Sequence, residues 1–263
     1  MDLSISNIAW NNEDNEKVYE LMKKYNFKGL EIAPTKIISE TPYDNCDIAL
    51  KWYESIRELY GFVIPSMQSI WFGKTENIFS SETERETLLE YTKKAIDFAA
   101  TINCHNLVFG CPRNRNVPDG IETEEIIIPF FKELGEYAVS KGTVIGMEAN
   151  PAIYNTNYVN DTASAIELIK QVDSHGFRLN LDFGTMIQNE ESVEYVKECL
   201  PFINHVHISE PGLKLIRERD AHRVLADILK KGEYKHFISI EMGTQEKIQD
   251  VETVMKYVKE IFA

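Results

Sequence analysis

Basic residues, paired cysteines and long apolar runs are all scarce in this 263-residue sequence. Its 28 lysines and arginines stand against 42 aspartates and glutamates, which gives a formal net charge of −14. No Lys/Arg-rich run offsets that charge, which would repel a phosphate backbone, so no nucleic acid partner is expected. The four cysteines form no CxxC pair, and we therefore expect free thiols in a reducing compartment.

Two further absences concern membranes and nucleotides. No stretch approaches the roughly 18 apolar residues of a membrane-spanning helix, and the start, MDLSISNIAW, lacks the features of a signal peptide. A cytoplasmic protein without a membrane partner is expected. Glycine is missing from SISNIAWNNED, where a nucleotide-binding doubly wound sheet would place its phosphate loop.

The sequence does contain a repeated alternation of short β-like runs with amphipathic segments of helical length. Eight β-like runs each precede a helix candidate, at residues 3–9, 29–33, 62–69, 106–110, 143–149, 177–183, 202–208 and 236–242. Such alternation requires parallel strands joined by crossover helices. Without linkers or low-complexity tracts, it predicts an α/β protein with one domain over 1–263, a closed (β/α)8 TIM barrel; an open doubly wound sheet is the alternative.

Polar residues stand at the carboxyl ends of the last four predicted strands, namely Glu148, Asp182, His207 and Glu241. Their neighbours along each strand include apolar residues that must pack on the outer helices, so these four are expected to converge at the barrel mouth. Three carboxylates without an Arg or Lys partner repel one another, and a divalent cation relieves that repulsion. The mixed oxygen and nitrogen set predicts one ion, Mn²⁺ first, with Mg²⁺, Co²⁺ or Zn²⁺ as alternatives.

The motifs GMEANP, NLDFG, HVHISEPG and SIEMG resemble the last four strand ends of the xylose-isomerase-like barrel superfamily of sugar and sugar-phosphate isomerases and epimerases. SISNIAW, GLEIAP and SMQSIWFG resemble its early strands, so the resemblance covers nearly the whole chain. It implies that the four strand-end residues bind one divalent ion. It also implies that Glu148 and Glu241 move a proton next to a carbonyl, through an enediolate that the ion stabilises.

Two positions depart from the ketose 3-epimerases of that superfamily: Thr185 stands where they carry His, and Leu213 where they carry Arg. These departures argue against a free-ketose epimerase and keep two alternatives open. One is a dehydratase of an inosose- or dehydroshikimate-like cyclic ketone, and the other is a non-catalytic sugar-binding barrel. The superfamily's abasic-site endonucleases are disfavoured by the acidic charge and by the presence of only six histidines. The sequence leaves substrate phosphorylation and homo-oligomerisation open.

Further residues are candidates for contacting a small carbohydrate substrate, because they lie at strand ends, in the loops that follow or at a helix start. They are Trp10, Glu31, Gln68, Trp71, Arg113, Asn150, His205, Lys214 and His222. Core packing is an alternative for the two tryptophans, and a structural hydrogen bond is an alternative for Glu31. His205 lies one layer below His207 on the same strand face, so we expect it to support that ligand or orient substrate, not to bind the ion.

Overall fold

A computed structural model describes all residues 1–263, and its strands are short and parallel. They are β1 (Asp2–Ser6), β2 (Gly29–Glu31), β3 (Leu107–Phe109), β4 (Ile145–Met147), β5 (Phe177–Asp182), β6 (Ile203–Ile208) and β7 (Phe237–Ile240). The seven strands form one sheet in the order β2-β1-β7-β6-β5-β4-β3. Because β7 pairs with β1, the sheet is curled, and its two outer strands are β2 and β3.

The segment 62–68 fills the gap between those two outer strands. Val63 pairs with Gly29 of β2, while Met67 pairs with both Ile32 and Leu107, all in parallel. The segment is no continuous strand because Pro65 has no N–H to donate to a ladder. The predicted (β/α)8 barrel is thus confirmed, with isolated bridges in place of one of the eight predicted strands.

Helices surround this sheet and connect successive strands. They are α1 (Asn15–Tyr25), α2 (Cys46–Tyr60), α3 (Glu82–Thr101), α4 (Glu124–Ser140), α5 (Thr162–Val172), α6 (Phe183–Gln188), α7 (Val196–Cys199), α8 (Asp220–Lys231) and α9 (Ile248–Phe262). Asp161 is the N-cap of α5, since its side chain accepts a hydrogen bond from the Ser164 amide at 2.7 Å. None of the helices is long and apolar enough to cross a bilayer.

The two faces of the strands differ sharply in polarity. Apolar side chains such as Leu179, Leu181 and Ile240 are buried between the sheet and the outer helices, in an apolar cluster of 69 residues. The inward face is polar and equally buried: Gln68 Nε2 donates to Ser6 Oγ at 3.2 Å across the barrel. A closed polar interior positions side chains from different strands within hydrogen-bonding reach of one another.

Candidate metal centre and substrate cleft

Four side chains from consecutive strands meet at the carboxyl end of the barrel. Glu148 follows β4, Asp182 ends β5, His207 belongs to β6 and Glu241 follows β7. One potential ligand atom from each lies within 4.8 Å of those of the other three. His207 Nδ1 is 2.9 Å from Glu148 Oε1 and 3.2 Å from Glu241 Oε2. The structure therefore brings together the whole predicted ligand set.

The three carboxyl groups of this cluster are buried close together, and a positive charge between them would stabilise their ionised forms. Burial raises the pKa of Glu148, Asp182 and Glu241, and repulsion from neighbouring carboxylates raises each of them further. Burial alone would lower the pKa of His207, but Glu241, Glu31 and Glu148 together hold it well above its usual value. The single positive charge of a protonated His207 cannot neutralise the carboxylates of Glu148, Asp182 and Glu241. The charge of the cluster therefore fits a bound divalent cation.

Asp182 is held by the turn that leads from β5 into α6. Thr185 donates to Asp182 Oδ2 through its amide at 2.9 Å and its hydroxyl at 2.8 Å. Ser209, which follows β6, donates to Asp182 Oδ1. The glycine of the NLDFG motif is required here, because a Cβ on Gly184 would collide with the Ser209 hydroxyl. Thr185 therefore fixes the orientation of the Asp182 carboxylate.

Two amide side chains orient the carboxylate of Glu148. Asn180 Nδ2 donates to Oε1 at 2.8 Å, and Asn150 Nδ2 donates to Oε2 at 3.3 Å. Gly110 provides the space, because a Cβ at that position would lie 2.9 Å from Glu148 Oε2. Arg115 fixes the arrangement from behind, donating to Asn150 Oδ1 at 2.9 Å and to the Glu148 carbonyl at 3.0 Å.

Arg115 lies in the same loop as Arg113, the arginine that the sequence analysis favoured as a substrate contact. It is only 1% exposed, and burial lowers its pKa to about 10. Arg113, the predicted basic residue of the same loop, is exposed and does not line the cleft. The short helical turn over Pro112–Arg115 decides which of the two arginines points inward. Nothing in the composition of CPRNR distinguishes them, so no sequence signal was available.

Glu31 and His205 lie beneath the cluster, away from the cleft. Glu31 Oε2 is 2.9 Å from His207 Nε2, the ring nitrogen opposite the one that faces the carboxylates. It is also 3.1 Å from His205 Nε2, and the two imidazoles hold the pKa of Glu31 below its usual value despite burial. A carboxylate behind a ligating histidine fixes the orientation of the ring and its tautomer. This arrangement makes Glu31 a positioning group for His207, not a substrate contact.

A cleft of about 200 Å³ opens above the cluster. Glu148, Asp182 and Glu241 form part of its floor. Its other lining residues are Gln68, Ser69, Val108, Gly110, Cys111, Pro112, Asn150, Tyr154 and Leu213. Gln68 and Asn150 are thus the two predicted substrate-contact residues that the structure brings to the cleft.

Tyr154 and Leu213 form a wall of the cleft that the sequence analysis did not include. They come from the loops after β4 and β6, and the Gly212 amide donates to the Tyr154 hydroxyl at 2.8 Å to join these loops. Lys214, predicted from its place beside Leu213, is exposed and points away from the lining. The left-handed backbone conformations of Gly212 (φ 73°) and Leu213 (φ 52°) determine the direction in which the side chains of this loop point.

Three predicted contacts belong to the core. Trp10 is fully buried and its Nε1 donates to Asn15 Oδ1 at 2.8 Å. Trp71 donates to Thr92 Oγ1 at 2.8 Å and packs edge-on against aromatic rings. His222 is fully buried among the rings of α9 and α6. Each ring finds its polar partner within the apolar layer, and none lines the cleft.

Comparisons with solved structures show the same fold. D-psicose 3-epimerase of Clostridium cellulolyticum is similar with a TM-score of 0.81 and 17% identity, covering 100% of this chain and 99% of that one. The 3-keto-D-glucoside 4-epimerase of E. coli gives 0.79 and 17%, covering 99% of both chains. An AP endonuclease, family 2, from Brucella melitensis gives 0.75 and 15%, covering 100% of both.

No curated protein matches this chain in sequence. The identities to the solved structures are low, and proteins with different activities share the fold, so these likenesses establish the fold alone. A family model gives the more specific result. The model of the xylose isomerase-like TIM barrel matches residues 19–261, and the chain therefore belongs to that family.

Proposed function

We propose that this protein is a divalent-metal-dependent sugar epimerase or isomerase that transfers a proton at the carbon next to a carbonyl group. The observation that carries this proposal is the position of Glu148 and Glu241. Both belong to the four-residue cluster and both line the cleft, so each carboxylate can reach a bound substrate. The sugar epimerases among the structural neighbours support the same class of reaction.

Glu148, Asp182, His207 and Glu241 would hold the ion. Three carboxylate oxygens and one imidazole nitrogen suit Mn²⁺ first, with Mg²⁺, Co²⁺ and Zn²⁺ as alternatives. A divalent ion bound there would supply Lewis-acid polarisation of the carbonyl oxygen and would balance the negative charge of the three carboxylates.

The two glutamates would act as a base and an acid. One carboxylate takes the proton from the carbon beside the carbonyl, and the electron pair of that C–H bond moves into the carbonyl to form an enediolate. The other glutamate returns a proton to carbon, so nothing is oxidised or reduced overall.

The cleft favours a small, uncharged substrate. Its lining contains three carboxylates and no Lys, Arg or His side chain. A phosphate group placed among these residues would be repelled and would find no cationic partner. A cleft of about 200 Å³ is also smaller than the pockets that hold drug-sized ligands. We therefore infer a free keto sugar, with Gln68, Asn150 and Tyr154 available to its hydroxyl groups. This inference goes against the expectation drawn from Thr185 and Leu213 in the sequence, because the lining of the cleft has no partner for a phosphate.

Solvent deuterium exchange tests this proposal. The protein, loaded with Mn²⁺, is incubated in D₂O with free ketohexoses, their 6-phosphates and cyclic polyhydroxy ketones, and the products are analysed by NMR. We expect deuterium at the carbon next to the carbonyl of a free ketose, and loss of the exchange after EDTA treatment. Glu148→Gln and Glu241→Gln should each lower the rate by about 10²- to 10⁴-fold.

Glu86→Gln is the matched control, because Glu86 is an exposed glutamate of α3. It should exchange deuterium at the wild-type rate. No exchange with any of the compounds would refute proton transfer. Exchange only with the sugar phosphates would refute the inferred free substrate, and loss of water from a cyclic ketone would identify a dehydratase instead.

A further inference from the structure

Arg115, in the loop that follows β3, is the only buried lysine or arginine of this chain. Its guanidinium donates to three oxygen atoms, namely Asn150 Oδ1 at 2.9 Å and the backbone carbonyls of Glu148 at 3.0 Å and Val159 at 3.3 Å. All three acceptors are uncharged. Burying a cation without a charged partner is costly, and a residue held at such a cost is a candidate for a role in the adjacent metal cluster.

The guanidinium determines which way the Asn150 side-chain amide points. Arginine has five N–H donors and no acceptor, so the Asn150 atom that faces it must be Oδ1. The Nδ2 group therefore lies at the other end of the amide, where it donates to Glu148 Oε2 at 3.3 Å. A turned amide would place its N–H groups against the guanidinium and its oxygen against the Glu148 carboxylate. Both contacts would be repulsive, so Arg115 and Glu148 together permit a single orientation.

The backbone of Asn150 is held independently of Arg115. Its N–H donates to the Val159 carbonyl at 3.1 Å, and its carbonyl accepts a hydrogen bond from Asn160 Nδ2 at 2.8 Å. Loss of Arg115 would therefore free the side-chain amide to turn without removing these backbone contacts. A primary amide carries two N–H groups, and Asn150 lines the cleft, so one N–H remains for a bound molecule.

We propose that Arg115 is a positioning residue that fixes the Asn150 amide, so that only N–H groups face Glu148 and the cleft. The substrate oxygen beside Asn150 would then have to accept a hydrogen bond. That donor would stabilise negative charge that develops on the substrate oxygen, and its partner N–H would keep the Glu148 carboxylate in place. This role rests on the proposed function, because it acts on the proposed proton transfer.

A double-mutant cycle of Arg115→Met and Asn150→Ala tests this role through the kcat for deuterium exchange at saturating Mn²⁺. The cycle uses whichever of D-fructose, D-psicose, D-tagatose and D-sorbose the wild type exchanges fastest. Methionine keeps most of the length of the side chain but donates no hydrogen bond. Arg115→Met should lower kcat about 10- to 100-fold and change KM less than about threefold, because the oriented donor acts on charge that develops during the reaction. In the Asn150→Ala background, where no amide is left to orient, it should change kcat less than about threefold.

Two further variants separate orientation from packing. Arg113→Met is the matched control, because Arg113 lies in the same loop, is exposed and does not line the cleft. It should keep the wild-type kcat. Arg115→Lys retains a positive charge and N–H donors, so it should be more active than Arg115→Met. Equal losses in these two Arg115 variants would mean that only the packing of the arginine matters and would overturn the proposal.

The cycle itself gives two other contrary results. Wild-type kcat in Arg115→Met would exclude the role. An equal fractional loss from Arg115→Met in the wild-type and Asn150→Ala backgrounds would show that Arg115 acts independently of the amide, which also contradicts the proposal. A wild type that exchanges deuterium into none of the four sugars would instead refute the inferred substrate class, and the role of Arg115 with it.

Asn150→Asp decides if Arg115→Met does not fold. Aspartate keeps an oxygen for the guanidinium but has no N–H for Glu148 or the cleft. Its kcat should be no higher than that of Asn150→Ala. A kcat near that of the wild type would show that the N–H groups of Asn150 are not needed, and the proposal would be wrong.

Discussion

His222 offers a quantitative test of how the α8–α9 contact responds to pH. The ring is fully buried, and its Nδ1 lies 2.8 Å from the Tyr257 hydroxyl. That hydroxyl accepts a hydrogen bond from the Arg219 amide at 2.9 Å, and it lies 3.4 Å from the Arg219 carbonyl oxygen, to which it can donate. Nε2 has no partner. The site therefore favours neutral imidazole, and burial lowers the pKa of His222 to about 4.

The consequence for stability follows from proton linkage. An unfolded chain protonates histidine near pH 6.5, whereas folded His222 resists protonation until about pH 4. Between these values the unfolded state binds the extra proton, so the free energy of unfolding falls as the pH falls. Linkage with these two pKa values predicts that His222 alone removes about 2 kcal/mol between pH 7.5 and pH 5.0.

The assay compares urea unfolding of the wild type and His222→Phe, followed by circular dichroism in EDTA at pH 7.5 and pH 5.0. Phenylalanine keeps the ring among its aromatic neighbours but cannot be protonated. The difference in unfolding free energy between the two proteins should shift by about 2 kcal/mol in favour of the variant at the lower pH. Contributions from the buried carboxylates occur in both proteins and cancel.

His175→Phe is the control, because His175 is an exposed histidine after α5. It should leave the pH dependence of stability close to that of the wild type. The reasoning would be refuted by equal pH dependence in the wild type and His222→Phe. That outcome would mean that folded His222 accepts a proton as readily as the unfolded chain does.

Three predictions concern the metal cluster. Gly110→Ala should weaken Mn²⁺ binding about tenfold, measured by EPR titration, because its Cβ would lie 2.9 Å from Glu148 Oε2; unchanged affinity would contradict the close packing. Glu31→Gln should weaken Mn²⁺ binding about 10- to 100-fold, because His207 would lose the carboxylate that orients its ring. An unchanged Mn²⁺ titration would show that Glu31 does not support His207. Mn²⁺ at 100 times its Kd should add about 2.7 kcal/mol of stability, raising Tm by roughly 5–10 °C in calorimetry. A Glu148→Gln/Asp182→Asn variant should show no rise in Tm when Mn²⁺ is added. A rise as large as that of the wild type would refute the proposed set of metal ligands.

The sequence was sufficient to predict the barrel and the convergence of the four-residue cluster because both follow from strand parity. Along β5, Leu179 and Leu181 face the helices while Asn180 and Asp182 face inward. A strand has only two faces, so once the apolar residues are known to face the helices, the alternating residues between them must face the barrel interior. Pro65 limited this argument: the run 62–69 predicts a strand, but the missing N–H leaves only isolated bridges.

The alternation of residues along a strand could not predict the contacts of large side chains or of side chains in loops. Trp71 and Arg113 both follow predicted strands, yet Trp71 is buried in the core and Arg113 is exposed to solvent. In a loop the direction of a side chain depends on individual backbone angles, such as the left-handed Cys111 (φ 43°) that precedes the Pro112–Arg115 turn. These angles result from tertiary packing, and the residue types around them leave several directions open.

The division between strands and loops also separates two parts of the proposed function. The four residues of the cluster stand at strand ends whose register is fixed by the sheet. Asn180 holds Glu148 and Glu31 holds His207 from within the barrel. The side chains Tyr154 and Leu213, which line the cleft, come from two loops joined by one hydrogen bond. Changes in these loops would alter the shape of the cleft without moving a ligand. In the proposed function, metal binding and proton transfer would therefore depend on the barrel, whereas the choice of substrate would depend on the loops that carry Tyr154 and Leu213.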